Sequence, residues 1–376
     1  MTVTRTDEAD PITLLLLVGG EGDSPVEQPI RQARQAAARD LLETLLEAGV
    51  VQRAVVATDD AAWAAGLPAV IDLDTPDEPF HFGRRLAGLI RRYGVRRALV
   101  AGGGSAPLMR ADDWRRALAG FDAGTPAAIT NNLHSADWLA FHPADEWLAV
   151  VEAQERDNGL AWALAHQAGL PTTALPPSAA SRFDLDTPAD LLIARAHPRL
   201  APHLRAALAG LDWPAAPVEG VLEVMAREGG HLAVIGRSSA AAWAALEAAT
   251  RCWVRLFVEE RGMIASGRLA QGQVRSLLAD FLEQSGPPGF FAELAALAEA
   301  ALLDNRVILA ARRLWPPAAD RFNADLGRWE QVEEPFLRDF SRAAKEAGMP
   351  ILIGGQSVVN GGLLALLEAL EARRNR

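Results

Sequence analysis

Lysine is almost missing from this sequence. Among 376 residues it occurs once, as Lys345, against 36 arginines. A Walker-type phosphate loop needs its lysine, so none can be written here, and a Schiff-base lysine is excluded from the first 300 residues. Any anion must be held by arginine or by backbone N–H groups. Cysteine is as scarce: Cys252 stands alone, which excludes an internal disulfide framework and a cysteine-based zinc site. It reads as a buried thiol near a strand, in a reduced, cytoplasmic protein. Dense basic stretches are also absent, and the formal net charge is −11, so nucleic acid is not expected as a partner. The apolar run Ile12–Val18 is too short to span a membrane and lacks the basic flank of a signal peptide; no membrane partner is expected. The seven histidines show neither HxH nor HExxH spacing, which leaves no histidine metal motif. GxSxG is missing too, and with it the serine-hydrolase elbow.

What is present is an Ala- and Leu-rich chain, half apolar, too long for one ordinary core. Strand-like runs alternate with helical ones. Ile12–Val18, Arg53–Thr58, 69–73, 97–101 and 126–130 read as strands, with helices over 32–48, 83–93, 111–119 and 160–168 between and after them. Asp212-Trp213-Pro214-Ala215-Ala216-Pro217 reads as a linker. Beyond it 232–235 and 252–258 are expected strands, then several helices, then a last strand over 350–353. Continuous Val/Ile/Leu runs between helices are the pattern of a mostly parallel sheet covered on both faces. The expected fold is α/β in two domains: residues 1–212 around such a sheet, and a smaller, helix-rich α/β domain over 218–376 whose role the sequence leaves open.

In open α/β sheets ligands sit beyond the carboxyl ends of the strands. Four features there stand out. Gly19 and Gly20 open the loop GGEGDS after the first strand, either a ligand loop or a plain turn. Gly102, Gly103, Gly104 and Ser105 follow the strand ending at 101; three glycines cost conformational entropy, which favours a ligand-facing role over a tight connection. Asn131, Asn132 and Asp137 lie in NNLHSAD, dense in donors and acceptors, suited to a base or sugar hydroxyl or to an Asx-type turn with His134 exposed. In the second domain Arg237, Ser238 and Ser239, and Gly355 and Ser357, lie where strands meet helices, places that favour an anion; Arg237 adds a forked donor.

The pentapeptide DLDTP occurs twice, as Asp72–Pro76 and Asp184–Pro188. Proline in the first turn and Asp190 near the positive end of the dipole make the second copy a helix start. The first copy reads as a strand end and turn, with His81, Arg84 and Arg85 close by.

From about residue 12 to 196 the chain resembles the nucleotidyltransferases of the GT-A-like fold, the group of molybdenum cofactor guanylyltransferase, phospholactate guanylyltransferase and the CMP-sugar synthetases. AARDLLETLLEAGVVQRAVVATDD resembles that family's first helix and second strand, VAGGGSAPLMRADDW its Gly-Asp-x-Pro-Leu loop, and FDLDTPADLLIA its Asp-x-Asp-Thr-Pro-x-Asp-Leu element. The resemblance implies a nucleotide-diphospho-sugar transferase-like N-terminal domain, with Gly19, Gly20, Gly102, Gly103, Gly104, Ser105, Asn131 and Asn132 about a nucleotide. It makes Asp186 the magnesium ligand and catalytic carboxylate. Hard oxygen suits Mg²⁺ bridging triphosphate oxygens.

Two departures bear on this. Ser105 stands where the family carries its first metal carboxylate, so Asp137 or another acid must supply the second. The first loop lacks the family's arginine and lysine, leaving Arg31 or Arg34 to substitute. The expected function is magnesium-dependent transfer of a nucleotidyl group from an NTP to a small anionic or phosphorylated acceptor. The alternative is a catalytically degenerate, regulatory protein that binds a nucleotide or sugar nucleotide on the same scaffold. A homo-oligomer is compatible with either.

Overall fold

The structure is a computed structural model, which describes residues 10–20, 22–74, 80–122 and 124–375. Contacts divide them into two compact units. The first holds the described residues up to Gly19, with Ala38–Ser105 and Met109–Pro176; the second holds Gly20–Ala37, Ala106–Leu108 and Pro177–Arg376.

In the first unit seven strands form one sheet: β1 (Ile12–Val18), β2 (Arg53–Thr58), β3 (Val70–Leu73), β4 (Arg97–Gly102), β5 (Ala127–Thr130), β6 (Trp138–His142) and β7 (Thr172–Ala174), in the order β3-β2-β1-β4-β6-β5-β7. All pairings are parallel except those of β6 with β4 and β5. Leu14, Leu15 and Leu16 of β1 are all fully buried. Both faces of the strand are therefore covered, which explains an apolar run without alternation. Since β5 runs parallel to β4 and β6 returns between them, residues 131–137 and 102–105 meet at the carboxyl edge.

The second unit carries four parallel strands: β8 (His231–Gly236), β9 (Trp253–Val258), β10 (Ala300–Asp304) and β11 (Ile351–Gly354), in the order β11-β10-β8-β9. The chain leaves β8 in one direction to reach β9 and in the other to reach β10, so the switch point lies between β8 and β10. β10 falls in a stretch read as helical, because AALLD sits among Ala- and Leu-rich helices and has no alternation to mark it. Buried on every residue, it is a central strand.

The division differs from the one expected at 212–217. The helix Pro188–Ala196 is buried at every position from Pro188 to Ala194, and its side chains share one core with Val26, Ile30, Leu232, Leu352 and Leu366. The expected linker is part of that core as well: Trp213 is buried, and the Arg195 guanidinium donates to the carbonyls of Leu211 and Trp213. Residues 177–211 thus fold with the C-terminal sheet. Among the described residues no helix is long and apolar enough to cross a membrane.

Candidate functional site

At the carboxyl edge of the first sheet, Ser105 fastens two of the expected loops together. Its hydroxyl donates to the carbonyl of Asp137 at 2.6 Å and accepts from the backbone N–H of Gly102 at 3.0 Å. Gly103, Gly104 and Ser105 are buried, and Gly102 is partly exposed. Asn131 is buried and closes the adjoining loop. Its Nδ2 donates to Asp137 Oδ2 at 2.5 Å, and its Oδ1 accepts from the N–H of Asp137 at 3.0 Å. The Asn132 side chain accepts from the N–H of His134, which is exposed, so this segment is an Asx-type turn. Gly19 packs against Asp59, where a Cβ would come within 2.7 Å of Oδ1. Asp59, after β2, thereby joins this edge; the sequence reading did not single it out.

The two copies of DLDTP have different fates. In the first, Asp72 is a buried residue of β3, bonded to the Arg85 guanidinium at 2.8 Å and the Tyr93 hydroxyl at 2.6 Å, with Arg92 at 3.1 Å. Burial alone pushes its carboxyl up, but Tyr93, Arg85 and Arg92 together hold it below the usual value. Arg85 also binds Asp74, and His81 caps the next helix by accepting from the N–H of Arg84. These contacts make the first copy a strand end locked by ion pairs. Thr75 and Pro76 lie outside the described residues, as does Glu21 of the first loop.

In the second copy the helix start is closed by Asp190. Its Oδ2 accepts from the N–H groups of Asp186 and Thr187 and from the Thr187 hydroxyl, at 3.1, 2.8 and 2.8 Å. Its Oδ1 and the Ser357 hydroxyl oxygen are both buried, and Ser357 acts on the Asp190 carboxyl as a side-chain hydrogen-bond partner. Burial pushes the Asp190 carboxyl up to about 7, with the charge of Asp186 adding to the rise and hydrogen bonds from Thr187, Ser357 and the Asp186 backbone opposing it. Asp186 is thus released from capping its own helix. Its side chain is 62% exposed, with the Arg34 guanidinium 3.8 Å from Oδ1. Arg31 pairs with Asp23 of the first loop at 3.0 Å. Within the second unit the first loop, its helix and Asp186 therefore converge.

These donors fit one kind of magnesium site. Among the described residues no group of three or more His, Cys, Asp or Glu side chains could hold a metal, so there is no all-protein cage. Magnesium keeps several waters and is commonly bound through one or two carboxylates and substrate phosphates. An exposed, acceptor-only carboxylate at Asp186 suits a cation that arrives with a polyphosphate.

At the carboxyl edge of the second sheet the expected anion-binding residues have internal partners. Arg237 donates from Nε and Nη2 to the two oxygens of buried Asp304, at 2.6 and 3.0 Å. Ser238 donates to the Val359 carbonyl at 2.9 Å, and Ser239 caps the helix Ala240–Ala249. Gly354 is required by close approach: a Cβ there would lie 2.8 Å from that of Ala189. A Cβ on neighbouring Gly355 would meet Thr187 at 3.3 Å. The forked donor expected at Arg237 is therefore committed to Asp304 across the switch point. A second buried pair joins Arg306 to Asp325 at 2.9 and 2.6 Å. Asp304 and Arg306 escaped the sequence reading because β10 did; the run Leu302-Leu303-Asp304-Asn305-Arg306 was their signal.

No family model and no curated relative matches the chain. Solved structures similar to part of it include CMP:2-keto-3-deoxy-manno-octonic acid synthetase complexed with CTP, at 14% identity over 50% of this chain and 98% of that one, with a TM-score of 0.36. A cytidylyltransferase from Leptospira borgpetersenii serovar Hardjo-bovis is 14% identical over 53% and 93%, with a TM-score of 0.38. The 4-diphosphocytidyl-2C-methyl-D-erythritolsynthase of Anaerococcus prevotii is 11% identical over 50% and 97%, with a TM-score of 0.34. These are nucleotidyltransferases, and the likeness extends over about half of this chain.

Proposed function

We propose that the protein binds a nucleoside triphosphate together with magnesium and transfers the nucleotidyl group to a small anionic or phosphorylated acceptor. One observation carries the reading: Asp190 closes the helix start, leaving the Asp186 carboxylate exposed beside Arg34. A carboxylate serving only its helix would occupy the position that Asp190 takes.

In this reaction an acceptor oxygen forms a bond to the α-phosphorus while the bond from that phosphorus to the bridging oxygen breaks, and pyrophosphate leaves with the electron pair. Bound magnesium supplies neutralisation of phosphate charge. Asp186 anchors the cation, and Arg34 faces the anionic oxygens. Catalysis by such a site is mainly positioning and electrostatic stabilisation.

Thermal shift with each NTP, with and without Mg²⁺, tests the reading, because a ligand that binds the folded state raises the melting point by mass action. Stabilisation that needs magnesium, with pyrophosphate released on turnover, is expected. The second reading, a binding protein on the same scaffold, is favoured by Ser105, whose hydroxyl replaces a carboxylate and is committed to Asp137 and Gly102. It predicts stabilisation indifferent to magnesium and no pyrophosphate.

A further inference from the structure

The sheet of the second unit ends on one side at β9, and no strand among the described residues pairs with the outer edge of β9. Trp253 donates its N–H to the carbonyl of Gly230, and Glu259 to that of Gly236. The odd-numbered residues therefore turn their backbone groups inward, and Val254, Leu256 and Val258 turn theirs out. Such an unpaired row is a template for another strand, and proteins blunt it with a very short strand, a proline, a bulge or an inward-pointing charge. The other sheet edges are blunted. β7 has three residues, β3 carries the buried, ion-paired Asp72, and β11 is buried at all positions but its first. β9 has none of these devices: its six residues, WVRLFV, match β8 one to one, without a bulge.

Its side chains are open as well. Trp253 is 66% exposed, Val258 46% and Leu256 36%. Just past the strand, Glu259 accepts from the N–H of Leu277 at 2.8 Å. Leu277 and Phe281, one turn apart on the helix Leu277–Leu297, are both exposed. Apolar surface thus continues from the strand onto the helix, as at sites of association.

We infer that this edge pairs antiparallel with β9 of a second copy of the chain, about a two-fold axis at Leu256, joining the two sheets into one. A two-fold axis normal to the sheet opposes residues of like parity. Centred on Leu256, it sets Leu256 against itself and Val254 against Val258, so every outward N–H of both copies meets a carbonyl. One face then carries apolar pairs only. On the other face Arg255, which has no ion pair among the described residues, lies opposite Phe257 of the second copy, a cation–π arrangement. Centring on Arg255 would set guanidinium against guanidinium and carry Val258 past the end of the facing strand. The apolar row and the lone charge are matched together by β9 itself, which selects a second copy over an unrelated strand.

The test is sedimentation equilibrium of the full chain across the micromolar range, for wild type and Leu256→Lys, with cross-linking of two cysteine variants on a Cys252→Ser background. Wild type should be a dimer. Leu256→Lys sets two ammonium groups face to face and should weaken association by about a hundredfold or more; circular dichroism should show the fold kept, since the position is partly exposed. Leu256→Cys opposes two thiols at a Cα separation of about 5.5 Å, within disulfide range, and should cross-link under oxidant. Val258→Cys leaves its thiols about 13 Å apart along the strands and should not. Wild type that stays monomeric throughout that range overturns the inference, and so does a dimer that survives Leu256→Lys. Cross-linking of Val258→Cys as readily as Leu256→Cys overturns the pairing. Should Leu256→Lys fail to fold, the two cysteine variants decide alone.

Discussion

The Arg237–Asp304 pair decides whether the switch point of the second sheet is a structural joint or an anion site. The Arg237 side chain is 9% exposed and that of Asp304 fully buried. Asp304 also accepts from the backbone N–H groups of Arg237 and Arg306, each at 3.2 Å. Replacing Asp304 by Ala strands a guanidinium in the interior and removes the acceptor for both amides. Breaking a buried pair from one side costs about 3–5 kcal/mol, a large share of the 5–15 kcal/mol typical of a whole domain. Arg237→Met should cost less, because those two amides still answer the Asp304 carboxylate. The double variant Arg237→Met, Asp304→Leu should recover much of the loss, since apolar replacement of a whole buried pair is often neutral. Urea denaturation followed by tryptophan fluorescence supplies the midpoints. A cost under 1 kcal/mol for Asp304→Ala, with Arg237→Ala weakening anion binding instead, would refute the joint and restore Arg237 as a ligand.

Other predictions follow from the same contacts. Asp190 has a folded value near 7, above its unfolded one, so the folded state holds the extra proton. Wild-type stability should therefore fall as pH rises from about 4 to 7, by at most about 4 kcal/mol; Asp190→Asn should show no such fall, and parallel profiles would contradict it. Asp72 is shifted the other way, so its contribution is present above its unfolded value and lost as pH falls through the folded one. Arg85→Met should thus destabilise more at pH 7 than at pH 3, and equal losses would count against the ion pair. Gly354→Val should lower the melting point by forcing its strand away from Ala189; an unchanged value would mean the loop gives way.

The first sheet was legible because its strands are long apolar runs closed by punctuation: β1 and β2 fall where the sequence placed them. β10 was not, because a short buried strand among Ala- and Leu-rich helices differs from them in neither composition nor period. Its loss hid Asp304 and Arg306, and so made Arg237 look unpaired. The unit boundary was missed because prolines suggested a linker where Trp213 is buried. The second DLDTP was read correctly as a helix start, but that Asp190 rather than Asp186 closes it depends on distances.

The central claim concerns Asp186, whose carboxylate is exposed and free of capping duty. Its direct test is NTP affinity as a function of Mg²⁺ concentration in wild type and Asp186→Asn. Magnesium should tighten nucleotide binding in wild type and lose most of that effect in the variant, whose melting point without ligand stays put. An equal magnesium response in both proteins would contradict the account.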